Sequence, residues 1–180
     1  MTTKKQLLLV GGGHAHLSVL RALASRRFAA WQITLITPHP HQIYSGMLPG
    51  LIAGHYQLAQ CRIDVHALAQ TAGVEVIYAA VTQLDCHSQT VLLSDGRKLT
   101  YALLSLDIGS ESRVSELQAL DTSLTSIRPI ERFLGFWQDL RKRYEASPQP
   151  RSLAVVGGGA AGVEMAFALQ YALQKISPQS

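Results

Sequence analysis

The chain has 180 residues, of which 47% are hydrophobic and 16% are charged. That length and apolar content suit one packed domain, or one domain and part of another, and they exclude an intrinsically disordered protein. Sixteen lysines and arginines against twelve acidic residues give a formal net charge of +4. Because the basic residues are scattered along the chain, we expect no nucleic-acid partner.

The amino-terminal segment has only four apolar residues, Leu7 to Val10, before three glycines. This run is too short for the core of a signal peptide or for a membrane span, so we expect a cytoplasmic protein. The two cysteines, Cys61 and Cys86, have neither the spacing of a redox pair nor that of a zinc site. We therefore expect reduced structural thiols and no metal.

The first 37 residues predict a βαβ unit. An apolar strand from Gln6 to Val10 ends at the glycines 11–13, and apolar residues then recur at helical spacing up to Ala24. A second apolar strand, 33–36, is stopped by Pro38. Two strands joined by a helix in this way are expected to be parallel.

The middle of the chain predicts a long loop, then a helix and a strand, and then a series of short β-strands. The segment from Pro38 to Gly54 is rich in proline, glycine and histidine, which predicts a long ordered loop with a functional role. A helix over 64–72 and a strand over 74–78 follow. Short β-type runs over 79–101 then predict a small antiparallel meander, where a simple doubly wound fold would place another helix.

The last third of the chain predicts a repeat of its beginning. A strand over 103–108 and a helix from Pro129 to Tyr144 precede the proline-rich residues 147–150, which have linker composition. An apolar strand over 153–156, three glycines and an apolar helix then repeat the opening design. A lone strand and helix cannot bury both faces, so we expect an incomplete domain or one completed by a second copy of the chain.

The second glycine turn carries a full dinucleotide fingerprint, Gly157-x-Gly159-x-x-Gly162, between a predicted strand and a predicted helix. In this motif the first glycine permits the tight turn, the second lets a pyrophosphate approach the backbone, and the third lets the helix pack on the strand. A tight turn with no ligand is the alternative. Glu164 follows closely, either as an acid in the first helical turn that the helix dipole favours or as a group aimed at a cofactor.

The first glycine turn is a weaker match, because His16 replaces the third glycine after Gly11 and Gly13. Anion binding at the helix start survives this change, while close helix packing is in doubt. The usual acidic anchor for the adenosine ribose is also missing, because Thr37 stands at the end of the second strand and no carboxylate lies between Gly11 and Asp64. Thr37 has one hydroxyl to offer the ribose.

Four histidines form two His-x-His pairs, His14 with His16 and His39 with His41, in loops expected at one edge of the sheet. Four imidazoles at one edge could hold a metal. The alternative is that they form hydrogen bonds with cofactor phosphates or loop carbonyls. No carboxylate or thiolate accompanies them, which favours the second interpretation.

The paired fingerprints, the meander and residues 101–110 together resemble the FAD-dependent pyridine nucleotide oxidoreductases, in particular the type II NADH dehydrogenase-like branch. More narrowly, residues 11–17 with residues 44–50 are similar to the flavoprotein half that occurs joined to selenide, water dikinase. The resemblance covers essentially the whole chain. It implies a truncated α/β, Rossmann-like FAD/NAD(P)-binding fold, in which a parallel sheet with helices is combined with the antiparallel meander.

The same resemblance implies domains and site residues. Residues 1–146 would be the N-terminal part of an FAD-binding domain, 147–150 a linker, and 151–180 the first βα unit of an incomplete NAD(P)H-binding domain. The implied FAD contacts are Gly11, Gly13, His14 and Ala15 at the pyrophosphate, Thr37 and Pro38 at the ribose, the Val81 backbone at adenine, and Met47, Leu48, Ile108 and Gly109 from the loops. The implied NAD(P)H contacts are Gly157, Gly159 and Gly162, with Glu164 steering a proton where nicotinamide and flavin meet.

The implied activity is transfer of hydride from NAD(P)H to FAD and then of electrons to a small-molecule acceptor such as a quinone. Dithiol chemistry is disfavoured because the paired cysteines of the disulfide reductases are absent, and Leu106-Asp107-Ile108 replaces the family's alanine-threonine-glycine. Family members are about twice as long and return to complete the FAD site, so we expect this chain alone to be inactive. The alternative is a non-catalytic nucleotide-binding module, and membrane attachment of a longer protein is left open.

Overall fold

The computed structural model describes residues 4–26, 28–111, 124–146 and 152–176. The chain forms two compact units: the first unit comprises Met1–Gln42 and Ile63–Gly109, and the second unit comprises Ile43–Arg62 and Ser110–Ser180. The predicted linker, 147–150, lies outside the described residues, and the predicted domain boundaries stay a prediction. No helix within the described ranges is long and apolar enough to cross a membrane.

Strands and helices are mixed along the chain up to residue 77, and only strands follow until residue 106. The strands are β1 (Lys5–Val10), β2 (Trp31–Ile36), β3 (His41–Ile43), β4 (Arg62–Asp64), β5 (Glu75–Ile77), β6 (Val81–Asp85), β7 (Thr90–Leu93), β8 (Lys98–Thr100) and β9 (Leu103–Leu106). The α-helices are α1 (His14–Ser25), α2 (Leu48–Ile52), α3 (Val65–Ala72), α4 (Ile130–Ala146) and α5 (Ala160–Ile176). Single 3-10 turns lie at Ser45–Met47 and Leu58–Cys61.

A four-stranded parallel sheet in the order β5-β2-β1-β9 forms the centre of the first unit. β1 pairs with β2 from Lys5 opposite Trp31 to Val10 opposite Ile36, and its other edge pairs with β9. The carboxyl ends of the strands therefore meet at one edge of the sheet. This confirms the predicted βαβ unit and the predicted Rossmann-like α/β fold.

Both faces of this sheet are covered, because successive side chains of β1 point to opposite faces. Leu9 packs with α1 and α3 on one face, in a cluster that includes Leu20 and Val65. Leu8 and Val10 pack on the other face with residues of β7. The antiparallel meander β6-β7-β8 thus takes the place of a covering helix, as the sequence predicts.

The second unit is a helical cluster. α2, α4 and α5 share an apolar core that includes Leu48, Trp137 and Leu169. The predicted helix from Pro129 is confirmed, since α4 begins one residue later at Ile130. The segment from Pro38 to Gly54 is more structured than the predicted long loop, because Pro49 suits the first turn of α2 and Leu48 and Ile52 are buried.

The predicted strand over 153–156 is wrong. The structure assigns no strand to these residues, and Val156 is 77% exposed. A β-strand exists only where its backbone groups pair with a neighbour. No strand among the described residues pairs with this segment, so its apolar sequence alone does not make it β.

Candidate nucleotide-binding site

The first glycine turn connects β1 to α1 at the carboxyl edge of the sheet. The Gly11 amide donates a hydrogen bond to the Ile36 carbonyl (2.8 Å), and the Gly13 amide donates one to the Asp107 carbonyl (3.2 Å). Gly11 has φ of 94°, and a Cβ at this position would overlap the backbone of Asp107. The turn therefore requires glycine at residue 11, both for its conformation and for the close approach of the chain after β9.

His16 connects this turn to the sheet. Its side chain is buried, with Nδ1 2.6 Å from the Gly11 carbonyl oxygen and Nε2 2.9 Å from the Ser105 hydroxyl. Because a carbonyl oxygen only accepts, the contact with Gly11 places a hydrogen on Nδ1, and Nε2 shares a hydrogen bond with the Ser105 hydroxyl. For His16, the interpretation as a partner of a loop carbonyl is the one that the geometry supports.

Asp107 brings a carboxylate to the start of α1. It follows β9 directly, is half-buried, and its Oδ2 accepts a hydrogen bond from the His16 amide (3.0 Å). A Cβ on Gly13 would overlap this carboxylate. The sequence marks Asp107 only as a departure from a family pattern, although a carboxylate inside the apolar run predicted over 103–108 was a usable signal.

Thr37 turns its hydroxyl inward. The residue has no exposed surface, its amide donates to the Ile77 carbonyl (3.0 Å), and its hydroxyl donates to the His39 carbonyl (3.3 Å). Pro38 beside it is exposed. The predicted contact of Thr37 and Pro38 with a ribose stays a prediction, and the Thr37 hydroxyl already has a partner in its own loop.

The remaining histidines of the two pairs are exposed, and His41 Nε2 lies 4.0 Å from Asp64 Oδ2. Within the described ranges, no group of three or more histidine, cysteine or acidic side chains is arranged to hold a metal. Both cysteines are free thiols: Cys86 is exposed, and burial raises the pKa of the Cys61 thiol. A thiol with a raised pKa is a poor nucleophile.

Several predicted FAD contacts of the first unit come together at the glycine turn. Ile108 and Gly109 follow Asp107, and the Cα of Ile108 lies 2.9 Å from the position that a Cβ on Gly11 would occupy. His14 and Ala15 form the exposed first turn of α1. Val81, the first residue of β6, is half-buried against the apolar cluster that contains Val10.

The second glycine turn has the local geometry of its fingerprint. Gly157 has φ of 119°, and a Cβ on Gly162 would overlap the Gly157 carbonyl. The Val163 amide donates to the Gly159 carbonyl (3.1 Å) at the start of α5. The third glycine is thus required by close backbone contact within the turn itself.

Glu164 does not lie in the first turn of its helix as predicted. α5 begins at Ala160, directly after the glycines, so Glu164 is its fifth residue and the first turn contains no acidic side chain. The side chain is exposed. Of the other predicted residues in the second unit, Met47 is half-buried in a 3-10 turn and Leu48 is buried in the apolar core.

The residues of the first turn fit the diphosphate of a dinucleotide. A helix start preceded by glycines exposes amide groups whose dipoles favour an anion, and the absence of side chains lets the anion approach the backbone. Gly11 and Gly13 supply the backbone without side chains, and His14 and Ala15 supply the exposed first turn of the helix, at the edge of a parallel sheet. The carboxyl edge of such a sheet is where α/β proteins bind their ligands.

Comparison with known proteins finds relatives that match nearly the whole chain. The chain is 25% identical over 167 residues to the NADH dehydrogenase-like protein YutJ of Bacillus subtilis, covering 92% of this chain and 45% of that protein. It is 25% identical over 173 residues to the demethylphylloquinone reductase NdbB of Synechocystis, covering 92% of this chain and 43% of that protein. The chain therefore spans less than half the length of these relatives.

Solved structures show the same fold. The sulfide:quinone oxidoreductase of Aquifex aeolicus matches with a TM-score of 0.70 and 24% identity, over 95% of this chain and 40% of that one. NDH2 of Plasmodium falciparum, solved in complex with NADH, matches with a TM-score of 0.72 and 18% identity, over 92% of this chain and 36% of that one.

The family profile of the pyridine nucleotide-disulphide oxidoreductases matches residues 5–177. This is a family of FAD- and NAD(P)H-dependent oxidoreductases, so the cofactors predicted from the sequence, FAD and NAD(P)H, are confirmed at the level of the family. With nearly the whole chain matched and the glycine turns in place, this protein belongs to the pyridine nucleotide-disulphide oxidoreductase family.

Proposed function

We propose that the chain supplies the FAD-binding part, and the beginning of the NAD(P)H-binding part, of an oxidoreductase that passes hydride from NAD(P)H to flavin and electrons to an acceptor. The observation that carries this proposal is the first glycine turn, held between β2 and β9 at the start of α1. Family membership supports the choice of cofactors. The proposed domains are residues 1–146 and 151–180, joined by 147–150.

In this proposal, Gly11 and Gly13 let the FAD pyrophosphate approach the backbone, and His14 and Ala15 at the start of α1 hold it through their amides and the helix dipole. Gly157, Gly159 and Gly162 do the same for NAD(P)H in the second unit. Bound FAD supplies the hydride-accepting chemistry, and the protein supplies position and charge. The exposed carboxylate of Glu164 is the proposed group that moves a proton during flavin turnover.

A quinone is the proposed acceptor. The support is that the relatives of the chain include a demethylphylloquinone reductase and the External NADH-ubiquinone oxidoreductase 2 of Saccharomyces cerevisiae. Because the chain covers 43% and 34% of these two proteins, acceptor reduction is proposed for a longer parent protein. An association of that parent with selenide, water dikinase rests on the sequence resemblance of residues 11–17 and 44–50.

The test is retention of flavin by the purified chain. After incubation with excess FAD and desalting, we expect the visible absorbance bands of a bound flavin. The chain contains only the start of the proposed NAD(P)H domain, so fast bleaching of the flavin by NADH is expected from a full-length relative and not from this chain. A protein that emerges colourless, and that also fails to bind FAD in a titration, would contradict the proposal.

A non-catalytic nucleotide-binding module is the second candidate. Two features of the first turn favour it: His16 stands where a full fingerprint has its third glycine, and Thr37 stands where a ribose carboxylate is usual. Binding of ADP with rejection of FAD would select this candidate over the oxidoreductase.

A further inference from the structure

The start of α1 already contacts an anion that belongs to the chain itself. The Asp107 carboxylate accepts a hydrogen bond from the His16 amide (3.0 Å) and lies directly over the Gly13 backbone. This contact joins residues 91 positions apart in the sequence, so the fold brings the carboxylate to the helix start.

The charge of Asp107 lies at the amino-terminal end of α1. Its Oδ2 accepts from the His16 amide, and the dipole at the beginning of a helix favours a negative charge there. These are the groups that a dinucleotide diphosphate would use at a glycine turn.

Two anions at one helix start oppose each other. A diphosphate that approaches Gly13 meets a carboxylate of the same sign, and the His16 amide has only one hydrogen to donate. Binding of the diphosphate must therefore either displace the carboxylate or tolerate its repulsion. Both routes lower the affinity for the phosphates and leave the affinity for the rest of the ligand unchanged.

We propose that Asp107 is an affinity-determining residue, whose carboxylate competes with the phosphates of the dinucleotide for the amino terminus of α1. This inference rests on the proposed FAD site in the first unit. It assigns to Asp107 a role that weakens cofactor binding while the same carboxylate stabilises the chain without cofactor.

The decisive variant is Asp107→Asn, which removes the charge and keeps an oxygen that accepts from the His16 amide. The matched control is Asp64→Asn. Asp64 is also an aspartate at a helix start, since its Oδ1 accepts from the Ala67 amide (2.8 Å) at the beginning of α3. It belongs to the first unit as well and lies outside the glycine turn.

Dissociation constants of FAD, ADP and adenosine are measured by calorimetry for the full chain and both variants. For Asp107→Asn we expect FAD and ADP to bind roughly five- to tenfold more tightly, with adenosine unchanged because it carries no phosphate. For Asp64→Asn we expect all three constants to match the unmodified chain. Thermal unfolding without ligand shows that each variant is folded.

The outcomes separate the two proposals. Equal or weaker binding of FAD by Asp107→Asn overturns the role of Asp107 and leaves the proposed function standing. An equal gain for adenosine also overturns it, because the effect would not depend on phosphate. If neither the unmodified chain nor Asp107→Asn binds FAD or ADP, the proposed site fails and the inference fails with it.

Discussion

The two glycine turns lie 146 residues apart, from Gly11 to Gly157, and follow apolar segments of the same kind, but their surroundings differ. Val10, the last residue before the first turn, is 3% exposed, and Val156, the equivalent residue before the second turn, is 77% exposed. The first segment is the strand β1, which is paired on both edges. The second segment has no pairing partner among the described residues.

The comparison shows that the geometry of the glycine turn is local, whereas its burial depends on the rest of the fold. In both turns the first glycine has a positive φ and its carbonyl is in close contact with the motif's last residue. His16 meets that carbonyl with a ring N–H, whereas Gly162 leaves room for it by having no side chain. The local turn is thus encoded within six residues, but its burial depends on distant strands.

Substitution of the first glycine of each turn gives the largest expected effect. An alanine at residue 11 would have to adopt a left-handed backbone, and its Cβ would overlap the Asp107 backbone. For Gly11→Ala we therefore expect a loss of roughly 3 kcal/mol or more in the free energy of unfolding. Gly157→Ala requires only the backbone conformation and is expected to cost about 1–2 kcal/mol. Urea denaturation followed by circular dichroism measures both.

Gly96→Ala is the control for this pair. Gly96 has φ of 86°, and nothing in the structure lies within 4 Å of an added Cβ. Its substitution isolates the conformational cost, and the loss should equal that of Gly157→Ala. Equal losses for Gly11→Ala and Gly96→Ala would show that the contact after β9 does not constrain the first turn.

The helices after the turns provide the next comparison. Leu17 in α1 is 8% exposed, and Val163 at the equivalent position of α5 is 46% exposed. Leu17→Ala is expected to lower the free energy of unfolding by about 2–3 kcal/mol, because the cavity lies in a closed core. Val163→Ala is expected to change it by less than about 0.5 kcal/mol. Similar losses in chemical denaturation would contradict the contrast in burial.

Conversion of the first motif into a full fingerprint should weaken the protein. His16→Gly leaves the Gly11 carbonyl without its ring partner and removes a buried side chain, so we expect a loss of about 2 kcal/mol. Ser105→Ala removes only the partner of Nε2 and should cost about 1 kcal/mol. Thermal unfolding tests both, and a His16→Gly variant more stable than the unmodified chain would refute the role assigned to His16.

The smallest effect concerns the meander of the first unit at low pH. Hydrogen bonds from Ser88 lower the pKa of Asp85, and the hydrogen bond from the Arg97 side chain lowers the pKa of Asp95. A carboxyl whose folded pKa is depressed stabilises the fold above its unfolded pKa, and this stability is lost as pH falls through the folded pKa. The loss should therefore occur below about pH 4.

Urea midpoints at neutral pH and in this acidic range test that expectation. The double variant Asp85→Asn, Asp95→Asn should lose less stability on acidification than the unmodified chain, because its amides do not titrate. Ser88→Ala removes the hydrogen bond from the Ser88 hydroxyl to Asp85 and keeps the one from the Ser88 amide, so it should reduce the loss in part. An unchanged acid dependence in the double variant would show that these two carboxylates do not contribute.

Local signals account for most of what the sequence predicted correctly. The helix α3 starts directly after Asp64, whose side chain caps it, and Gly73, whose φ is 66°, follows its last residue. The meander follows from short alternating runs and the turn at Gly96. Capping residues, glycine turns and apolar periodicity act within a few residues, so one sequence is sufficient to show them.

Long-range contacts explain what the sequence did not show. An apolar run such as 153–156 becomes a strand only with a neighbour, and no local pattern reveals whether that neighbour exists. The contact of Asp107 with the His16 amide spans 91 residues. The prediction that Glu164 lies in the first helical turn was wrong because α5 starts at Ala160, a few residues before the expected helix start.

The most direct measurement is the affinity of the chain for FAD when each turn is altered separately. Gly13→Val places a side chain against Asp107 at the first turn, whereas Gly159→Val adds one where nothing lies within 4 Å of the new Cβ. We predict that Gly13→Val weakens FAD binding by roughly tenfold or more and that Gly159→Val leaves it unchanged. Loss of FAD binding in Gly159→Val, with normal binding in Gly13→Val, would contradict the assignment of the first turn as the flavin site.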